Sequence, residues 1–133
     1  METTSDPARA SVLVVDDQSE LAQMLAAMIK RDGHEVRVAT SGLAAVAAVE
    51  QRVPDLVLTD LGMPGMSGLD LADALHERWP KLPVALVTGW GPTVDPARTR
   101  QSEIVQVLGK PFRMAEVRSL LARILDGSCD QAS

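Results

Sequence analysis

The sequence predicts an α/β domain built on a parallel sheet of five strands. Five short apolar runs alternate with segments whose apolar residues recur at helical spacing, and this alternation is typical of helices that cover both faces of a parallel sheet. Three of the runs are almost purely aliphatic, as expected for strands that are buried on both faces. A length of 133 residues suits one domain with its own core.

The predicted strands are the runs 12–15, 36–39, 56–59, 84–87 and 106–108. The second run, EVRVA, alternates between apolar and polar residues, which indicates an edge or half-exposed strand. The core must be aliphatic, because Trp79, Trp90 and Phe112 are the only aromatic residues in the chain.

Four segments predict amphipathic helices. Gly33 is expected to end the first helix, while Pro54 follows the second and Pro80 stops the third. A segment around residues 95–102 is polar and rich in proline, and it predicts only a weak fourth helix. The apolar residues expected to face the sheet are Leu21, Leu25, Met28, Ile29, Leu43, Val46, Val49, Leu69, Ala72, Leu75, Trp79, Met114, Val117, Leu120, Leu121 and Ile124.

Composition and charge narrow the class of protein. Thirteen Lys and Arg against eighteen Asp and Glu give a net charge of −5 without a basic cluster, which predicts no direct binding of nucleic acid. No stretch approaches the length of a membrane span and no signal peptide opens the chain, so no membrane partner is expected. The single cysteine, Cys129, cannot form an intrachain disulfide and suits the reducing cytoplasm. Residues 11–125 are expected to form the domain, with flexible tails at 1–10 and 126–133.

Polar residues follow four of the five predicted strands at the point where each strand ends. The carboxyl ends of parallel strands meet at one edge of the sheet, where ligands bind, so these residues are expected to converge. A lone acid such as Asp60 would ordinarily be a solvated turn residue, but its predicted neighbours favour a site. The converging residues are Asp16, Asp17, Asp60, Thr88, Gly89 and Lys110.

These residue types point to phosphoryl chemistry. Three crowded carboxylates repel one another unless a hard cation lies among them, and oxygen-only ligands favour Mg²⁺. A lysine ammonium adds a point charge for a phosphate, and hydroxyl or backbone N–H groups can donate to its oxygens. A carboxylate can also act as the nucleophile and become an aspartyl phosphate. Catalysis would then rest on positioning and charge neutralisation.

Four motifs in chain order resemble the receiver domain of two-component response regulators. They are VLVVDD, LVLTDLGMPGMSGLDLA, PVALVTGWG and VLGKPF, and the resemblance covers about residues 11–125. It implies a flavodoxin-like, doubly wound sheet with the strand order 2-1-3-4-5 and five helices. The loop sequences DLGMPGMSG and TGWG are similar to those of receivers attached to hybrid sensor kinases.

The resemblance implies a metal-assisted acceptor site. Asp60 matches the phosphoacceptor, which takes a phosphoryl group from a phosphohistidine on a sensor histidine kinase or a histidine phosphotransfer protein. Asp16 and Asp17 match the acid pair that holds Mg²⁺, and Asp60 and the backbone carbonyl of Gly62 complete the protein ligands. Such a domain is a signalling module that catalyses only its own phosphorylation and dephosphorylation, so it is not expected to be an enzyme.

The resemblance assigns two further residues to the phosphoryl group. Thr88 matches the hydroxyl residue that moves onto it after transfer, and Lys110 matches the lysine that binds it. The bond between Lys110 and Pro111 is typically cis in the family. A homodimer through the fourth helix, fifth strand and fifth helix is an expected further partner arrangement.

The sequence departs from the family pattern at several positions. Val107 stands where receivers commonly carry an aromatic residue that turns inward when the threonine moves. Glu103 replaces the usual glycine before the fifth strand, so that turn is expected to be rebuilt. Gly62 offers no side chain over the phosphoryl site, and Trp90 is the nearby ring that could cover it. Output is therefore expected through Thr88, the loop 89–95 and the weak fourth helix.

Two other functions require residues that this chain lacks. A phosphatase that uses an aspartate nucleophile wants a second acid two residues further on, where this chain has Gly62. A dinucleotide-binding module wants G-x-G-x-x-G after the first strand, which is absent. A pseudo-receiver, which is an interaction module that never turns over, is disfavoured by the intact set of acids but stays as an alternative, together with a phosphate sink or relay without conformational output. His34 and His76 are expected to be solvated residues without a chemical role, and Arg98 and Arg100 a solvated face, with contact to a partner as the less favoured alternative.

Overall fold

The protein alternates strand and helix five times, as the sequence predicts. The computed structural model describes residues 10–63, 65–89, 96–109 and 113–125. The elements in chain order are β1 (Ser11–Val15), α1 (Ser19–Arg31), β2 (Glu35–Ala39), α2 (Gly42–Gln51), β3 (Leu56–Asp60), α3 (Gly68–Arg78), β4 (Val84–Thr88), α4 (Pro96–Gln101), β5 (Ile104–Gly109) and α5 (Met114–Leu125).

The five strands form one parallel sheet in the order β2-β1-β3-β4-β5. The predicted fold class and strand order are confirmed, and β2 lies at an edge as its alternating sequence indicates. The register pairs Val15 with Thr59 and Thr88 with Gly109. The carboxyl ends of β1, β3, β4 and β5 therefore lie side by side, and this edge carries the residues singled out from the sequence.

Two aliphatic layers sandwich the sheet, because alternate residues of each strand point to opposite faces. One layer joins Val14 and Leu58 of the strands to the buried faces of α1 and α5. The other joins Leu13 and Val57 to the buried faces of α2 and α3. The helix residues that are buried as predicted are Ile29, Val49, Ala72, Leu75, Val117, Leu120 and Leu121.

The predicted faces of α1 and α2 are wrong in part. Leu43 is 78% exposed and Leu21 is also exposed, whereas the alanines Ala22, Ala26 and Ala45 are buried. Periodicity alone does not decide which of two neighbouring stripes faces the sheet. Alanine allows a helix backbone to approach the sheet closely, and the longer leucine side chains then lie at the rim.

The helix ends follow local sequence signals. Gly33 adopts a positive φ of 95° directly after the C-cap of α1, as expected for a glycine that ends a helix. Ser41 caps α2 by accepting a hydrogen bond from the backbone N–H of Ala44. Ser67 and Asp70 form a reciprocal capping box at the start of α3. Within the described residues, no helix is both long and apolar enough to cross a membrane.

Both histidines have partners, so the expectation that they are simply solvated is wrong. His34 is buried, and its Nδ1 accepts a hydrogen bond of 3.0 Å from the backbone N–H of Ala10. Its Nε2 lies 3.6 Å from a carboxylate oxygen of Asp32. Nε2 of His76 lies 2.9 Å from the carbonyl oxygen of Leu82. The rings thus tie chain segments together at positions where the sequence shows only a polar residue near a helix end or on a helix face.

Candidate functional site

Three carboxylates come together at the carboxyl edge of the sheet. Asp16 and Asp17 follow β1 directly and Asp60 is the last residue of β3, the strand next to β1. Each offers a carboxylate oxygen, and these atoms all lie within 4.8 Å of one another. Asp16 is only 2% exposed, Asp60 is half-buried and Asp17 is exposed. The cluster therefore has a buried side and a side open to a ligand from solvent.

The buried acid, Asp16, is held by its backbone and its side chain. Its N–H donates to the carbonyl of Ala39 over 3.1 Å, and its Oδ1 accepts from the N–H of Gln18 over 2.9 Å. Gln18, not Asp17, is the N-cap residue of α1, and it makes no side-chain cap bond. Asp17 therefore does not cap this helix.

The backbone around Asp60 is held from two sides. The N–H of Leu61 donates to the carbonyl of Val87 over 3.2 Å, and the N–H of Gly68 donates to the carbonyl of Leu61 over 2.8 Å. The buried hydroxyl of Thr59 donates to the carbonyl of Asp60 over 3.0 Å. These bonds fix the peptide that carries the acid, so its carboxylate projects from a rigid base.

Gly68 packs directly against this peptide. A Cβ built on Gly68 would lie 2.5 Å from the carbonyl oxygen of Asp60 and 2.9 Å from Cδ2 of Leu86. No side chain fits there without moving the backbone of Asp60 or its neighbours. The sequence reasoning did not single out Gly68 or Thr59. A glycine at the first position of a helix, where no turn demands it, was the available signal for Gly68, whereas nothing in the sequence marked Thr59.

The other predicted site residues are described only in part. Thr88 is the last residue of β4 and is 3% exposed, and it lies one position beyond the pair formed by Asp60 and Val87. Gly62 and Gly89 are exposed, and apart from their chain neighbours no atom of the described residues lies within 4 Å of the place where a Cβ would lie. The predicted roles of Lys110, Pro111 and Trp90 fall outside the described residues, as does most of the loop 89–95.

The donor set at this edge fits a hard divalent cation. All three side chains offer carboxylate oxygens that are close enough to share one ion, and no histidine or cysteine belongs to the cluster among the described residues. Oxygen ligands of this kind suit Mg²⁺ rather than a soft metal. Met63 is buried in the layer under α2 and α3, and Met66 packs against that layer, so both methionines of the loop serve packing.

The fold and the arrangement of acids match one protein family. The model of the response regulator receiver domain matches residues 12–122. The chain belongs to the response regulator receiver family, whose members act as phosphoacceptor domains in two-component signal transduction. The family, the fold and the phosphoacceptor function predicted from the motifs are confirmed.

Relatives of known class support this assignment. The DNA-binding response regulator MtrA of Mycobacterium tuberculosis is 35% identical over 132 residues, which are 96% of this chain and 58% of the relative. The sensory transduction protein RegX3 of the same species is 37% identical over 114 residues, 86% of this chain and 48% of the relative. The chain thus spans about half the length of these curated relatives.

Solved structures of receivers superimpose closely. A receiver domain protein from Clostridium thermocellum gives a TM-score of 0.82 at 25% identity, covering 90% of this chain and 96% of the other. The receiver domain of NtrX from Brucella abortus gives 0.79 at 30% identity, covering 86% and 98%. The narrower resemblance to receivers of hybrid sensor kinases stays a prediction, as do the domain bounds 11–125.

The expectation of no nucleic-acid partner is corrected by these relatives. MtrA is named a DNA-binding response regulator, and it resembles this chain over 58% of its own length. The net charge of one receiver domain describes that domain's surface only. It does not exclude a link to DNA for a protein in which the receiver is one part.

Proposed function

We propose that Asp60 is the residue of this receiver that becomes phosphorylated. The observation that carries the proposal is the cluster of Asp60 with Asp16 and Asp17 at the carboxyl edge of the sheet. Asp60 is the member that ends a central strand on a backbone fixed from both sides. Its carboxylate is half-buried, so it is accessible to a donor but still oriented by the fold.

The transfer is a nucleophilic substitution at phosphorus. A carboxylate oxygen of Asp60 attacks the phosphorus of a phosphohistidine, the new O–P bond forms, and the P–N bond breaks. The electron pair of the P–N bond stays on the imidazole nitrogen of the donor, which belongs to a histidine kinase or phosphotransfer protein. The product is an acyl phosphate on Asp60, which water hydrolyses later.

The residues around Asp60 supply binding and charge neutralisation. Asp16, Asp17 and Asp60, with the backbone carbonyl of Gly62, would hold Mg²⁺. When bound, the ion offsets the repulsion between the carboxylates and the phosphoryl oxygens. The hydroxyl of Thr88, at the end of the next strand, donates to a phosphoryl oxygen after transfer. Lys110, which lies outside the described residues, is assigned to the same phosphoryl group from the family motif.

The proposal also covers what the chain catalyses, where the reaction takes place and what its output is. The chain catalyses only its own phosphorylation and dephosphorylation, and no separate substrate is turned over. Kinases that phosphorylate a histidine use ATP, and this requirement supports the cytoplasm as the location of the reaction. The likeness to MtrA favours an output on DNA through a protein in which this receiver is one part.

Intact-mass measurement after incubation with acetyl phosphate and Mg²⁺ tests the proposal. The unchanged protein is expected to gain one phosphoryl group, and the gain is expected to vanish when a chelator removes Mg²⁺. Asp60→Asn, which nearly keeps the shape of the side chain, should stay folded and gain nothing. A full adduct on Asp60→Asn would place the nucleophile elsewhere, and no adduct on any protein would favour a pseudo-receiver.

A further inference from the structure

Arg98 links α4 to the helix that follows the acceptor loop. Its Nη2 lies 3.3 Å from Oδ1 of Asp70 and 3.3 Å from Oδ2 of Asp73, both in the first half of α3. Arg98 is thus partly exposed, as expected of a solvated face, and it also forms two ion pairs that the sequence does not predict. We call this pair of contacts the α3–α4 clasp. Arg100 on the same helix is exposed and makes no ion pair within the described part of the chain.

The clasp ends on a structure that contacts the acceptor backbone. Asp70 belongs to the capping box of α3, in which it also accepts from the N–H of Ser67 over 3.3 Å. Gly68, which directly follows Ser67, donates its N–H to the carbonyl of Leu61 and packs against the carbonyl of Asp60. A continuous set of contacts therefore runs from the peptide of Asp60 through the first turn of α3 to Arg98.

Two residues directly after the C-terminal end of α4 are in energetically unfavourable states. The hydroxyl of Ser102 is buried, at 1% exposure for the residue, and has no hydrogen-bond partner among the described residues. Glu103 has a φ of 56°, the left-handed region that glycine prefers. A buried unpaired hydroxyl and a left-handed non-glycine residue both cost free energy in the folded state. A rearrangement of this junction is therefore expected to cost little free energy.

Helix α4 itself is held weakly. It has six residues, which is too short for a helix to be stable by itself, and it contributes no residue to either core layer within the described part of the chain. The clasp is therefore one of the contacts that fix its position. Val107, at the position where receivers commonly carry a mobile aromatic ring, is 37% exposed and too small to replace that ring.

We propose that the α3–α4 clasp couples the position of α4 to phosphorylation of Asp60, in place of the missing aromatic switch. The clasp holds α4 in the arrangement described above. Phosphorylation draws the hydroxyl of Thr88 toward the phosphoryl group and shifts the peptide of Asp60, and this shift reaches Arg98 through Gly68 and the first turn of α3 and opens the clasp. This inference rests on the proposed function. Because coupling between two sites is reciprocal, breaking the clasp must strengthen binding of a phosphoryl group at Asp60.

The test compares the affinity for beryllofluoride, a phosphoryl mimic, in the presence of Mg²⁺. Arg98→Gln removes the clasp, and Arg100→Gln removes the same charge from the same helix without touching it. Exposed ion pairs are weak, so the expected effect is a gain of about two- to fivefold in affinity for Arg98→Gln. Arg100→Gln should bind as the unchanged protein does, and thermal unfolding of both variants verifies that they are folded.

A second variant makes the test specific to the clasp. Asp73→Asn should tighten mimic binding in the same direction, and adding it to Arg98→Gln should give less than the product of the two effects. Equal affinities for Arg98→Gln and Arg100→Gln would overturn the coupling, and weaker binding by Arg98→Gln would overturn its direction. Failure of the unchanged protein to bind the mimic would instead refute the proposed function.

Discussion

At the scale of single residues, the three acids of the site differ in burial and in hydrogen bonding. Asp16 is buried and its carboxylate accepts a backbone hydrogen bond, so it contributes to the structure as well as to the site. Asp17 is exposed and is not the cap of α1. A substitution of Asp17 therefore tests metal binding with the least disturbance of the fold.

We expect Asp17→Asn to weaken Mg²⁺ binding by at least about tenfold, because even indirect support of a metal ligand is worth that much. The free energy of unfolding should change by less than about 0.5 kcal/mol, as for other surface substitutions. Calorimetric titration with Mg²⁺ measures the first effect and urea unfolding the second. Glu77→Gln removes an exposed charge from α3 outside the cluster, and it is the control. Equal Mg²⁺ affinity in Asp17→Asn and Glu77→Gln would contradict the site.

Gly68 is the second informative single residue. Gly68→Ala places a Cβ 2.5 Å from the carbonyl oxygen of Asp60, so the backbone must shift. The expected cost is about 1–3 kcal/mol in the free energy of unfolding, with slower phosphorylation by acetyl phosphate because the acceptor is displaced. Gly109→Ala, where no atom of the described residues other than chain neighbours lies within 4 Å of the new Cβ, should cost less in the same urea titration. An equally stable Gly68→Ala with an unchanged phosphorylation rate would show that the packing at Gly68 does not position Asp60.

At the scale of elements, the junction between α4 and β5 departs from the sequence prediction. The substitution of glycine by Glu103 was expected to rebuild the turn. The chain instead keeps a left-handed residue there, with a φ of 56°. The N–H of Glu103 donates to the carbonyl of Arg100 over 3.1 Å, and the N–H of Ser102 to that of Arg98 over 3.0 Å. These bonds hold the turn in a conformation that glutamate does not favour.

Glu103→Gly should therefore stabilise the domain. Relief of the left-handed conformation is worth about 1–2 kcal/mol, and the greater freedom of glycine in the unfolded chain offsets about 0.4–1 kcal/mol of it. A net gain of roughly 0.5–1 kcal/mol is expected in urea unfolding. Glu103→Ala removes the same side chain but keeps the Cβ, so it should bring no such gain. A loss of stability in Glu103→Gly would mean that the Glu103 side chain stabilises the turn.

At the scale of the whole molecule, one sheet serves both core layers. Each central strand contributes alternate residues to the layer under α1 and α5 and to the layer under α2 and α3. Neither layer can lose its order without disturbing strands that the other layer needs. The domain is therefore expected to unfold in one cooperative transition, although α4 and its junction can rearrange locally.

Leu58→Ala tests this shared core. Leu58 is buried in β3 against the layer of α1 and α5, and its truncation should cost about 2–5 kcal/mol. Urea unfolding followed by circular dichroism should still show one transition, at lower denaturant concentration. Val107→Ala, on an exposed position of β5, should change stability by less than about 0.5 kcal/mol. Two separate transitions in Leu58→Ala would show that the layers unfold independently.

Most of the fold can be predicted from the sequence, because its local signals agree with one another. The alternation of aliphatic runs and helical segments predicts the parallel sheet, and the ends of those runs predict which side chains meet at its edge. The strand order came from the resemblance of the motifs, since periodicity does not say which strands are neighbours. The faces of α1 and α2 were placed wrongly because leucine and alanine stripes compete, and only packing against the sheet decides between them.

By itself, the sequence determined the fold class, the family and the acids Asp16, Asp17 and Asp60 as the candidate site. These depend on local patterns and on the common direction of parallel strands. The tertiary structure alone decided the contacts between distant segments: His34 with Ala10, Gly68 against the peptide of Asp60, and Arg98 with the start of α3. Such contacts depend on how separate elements pack together, and no local signal in the sequence records which partner a side chain will meet.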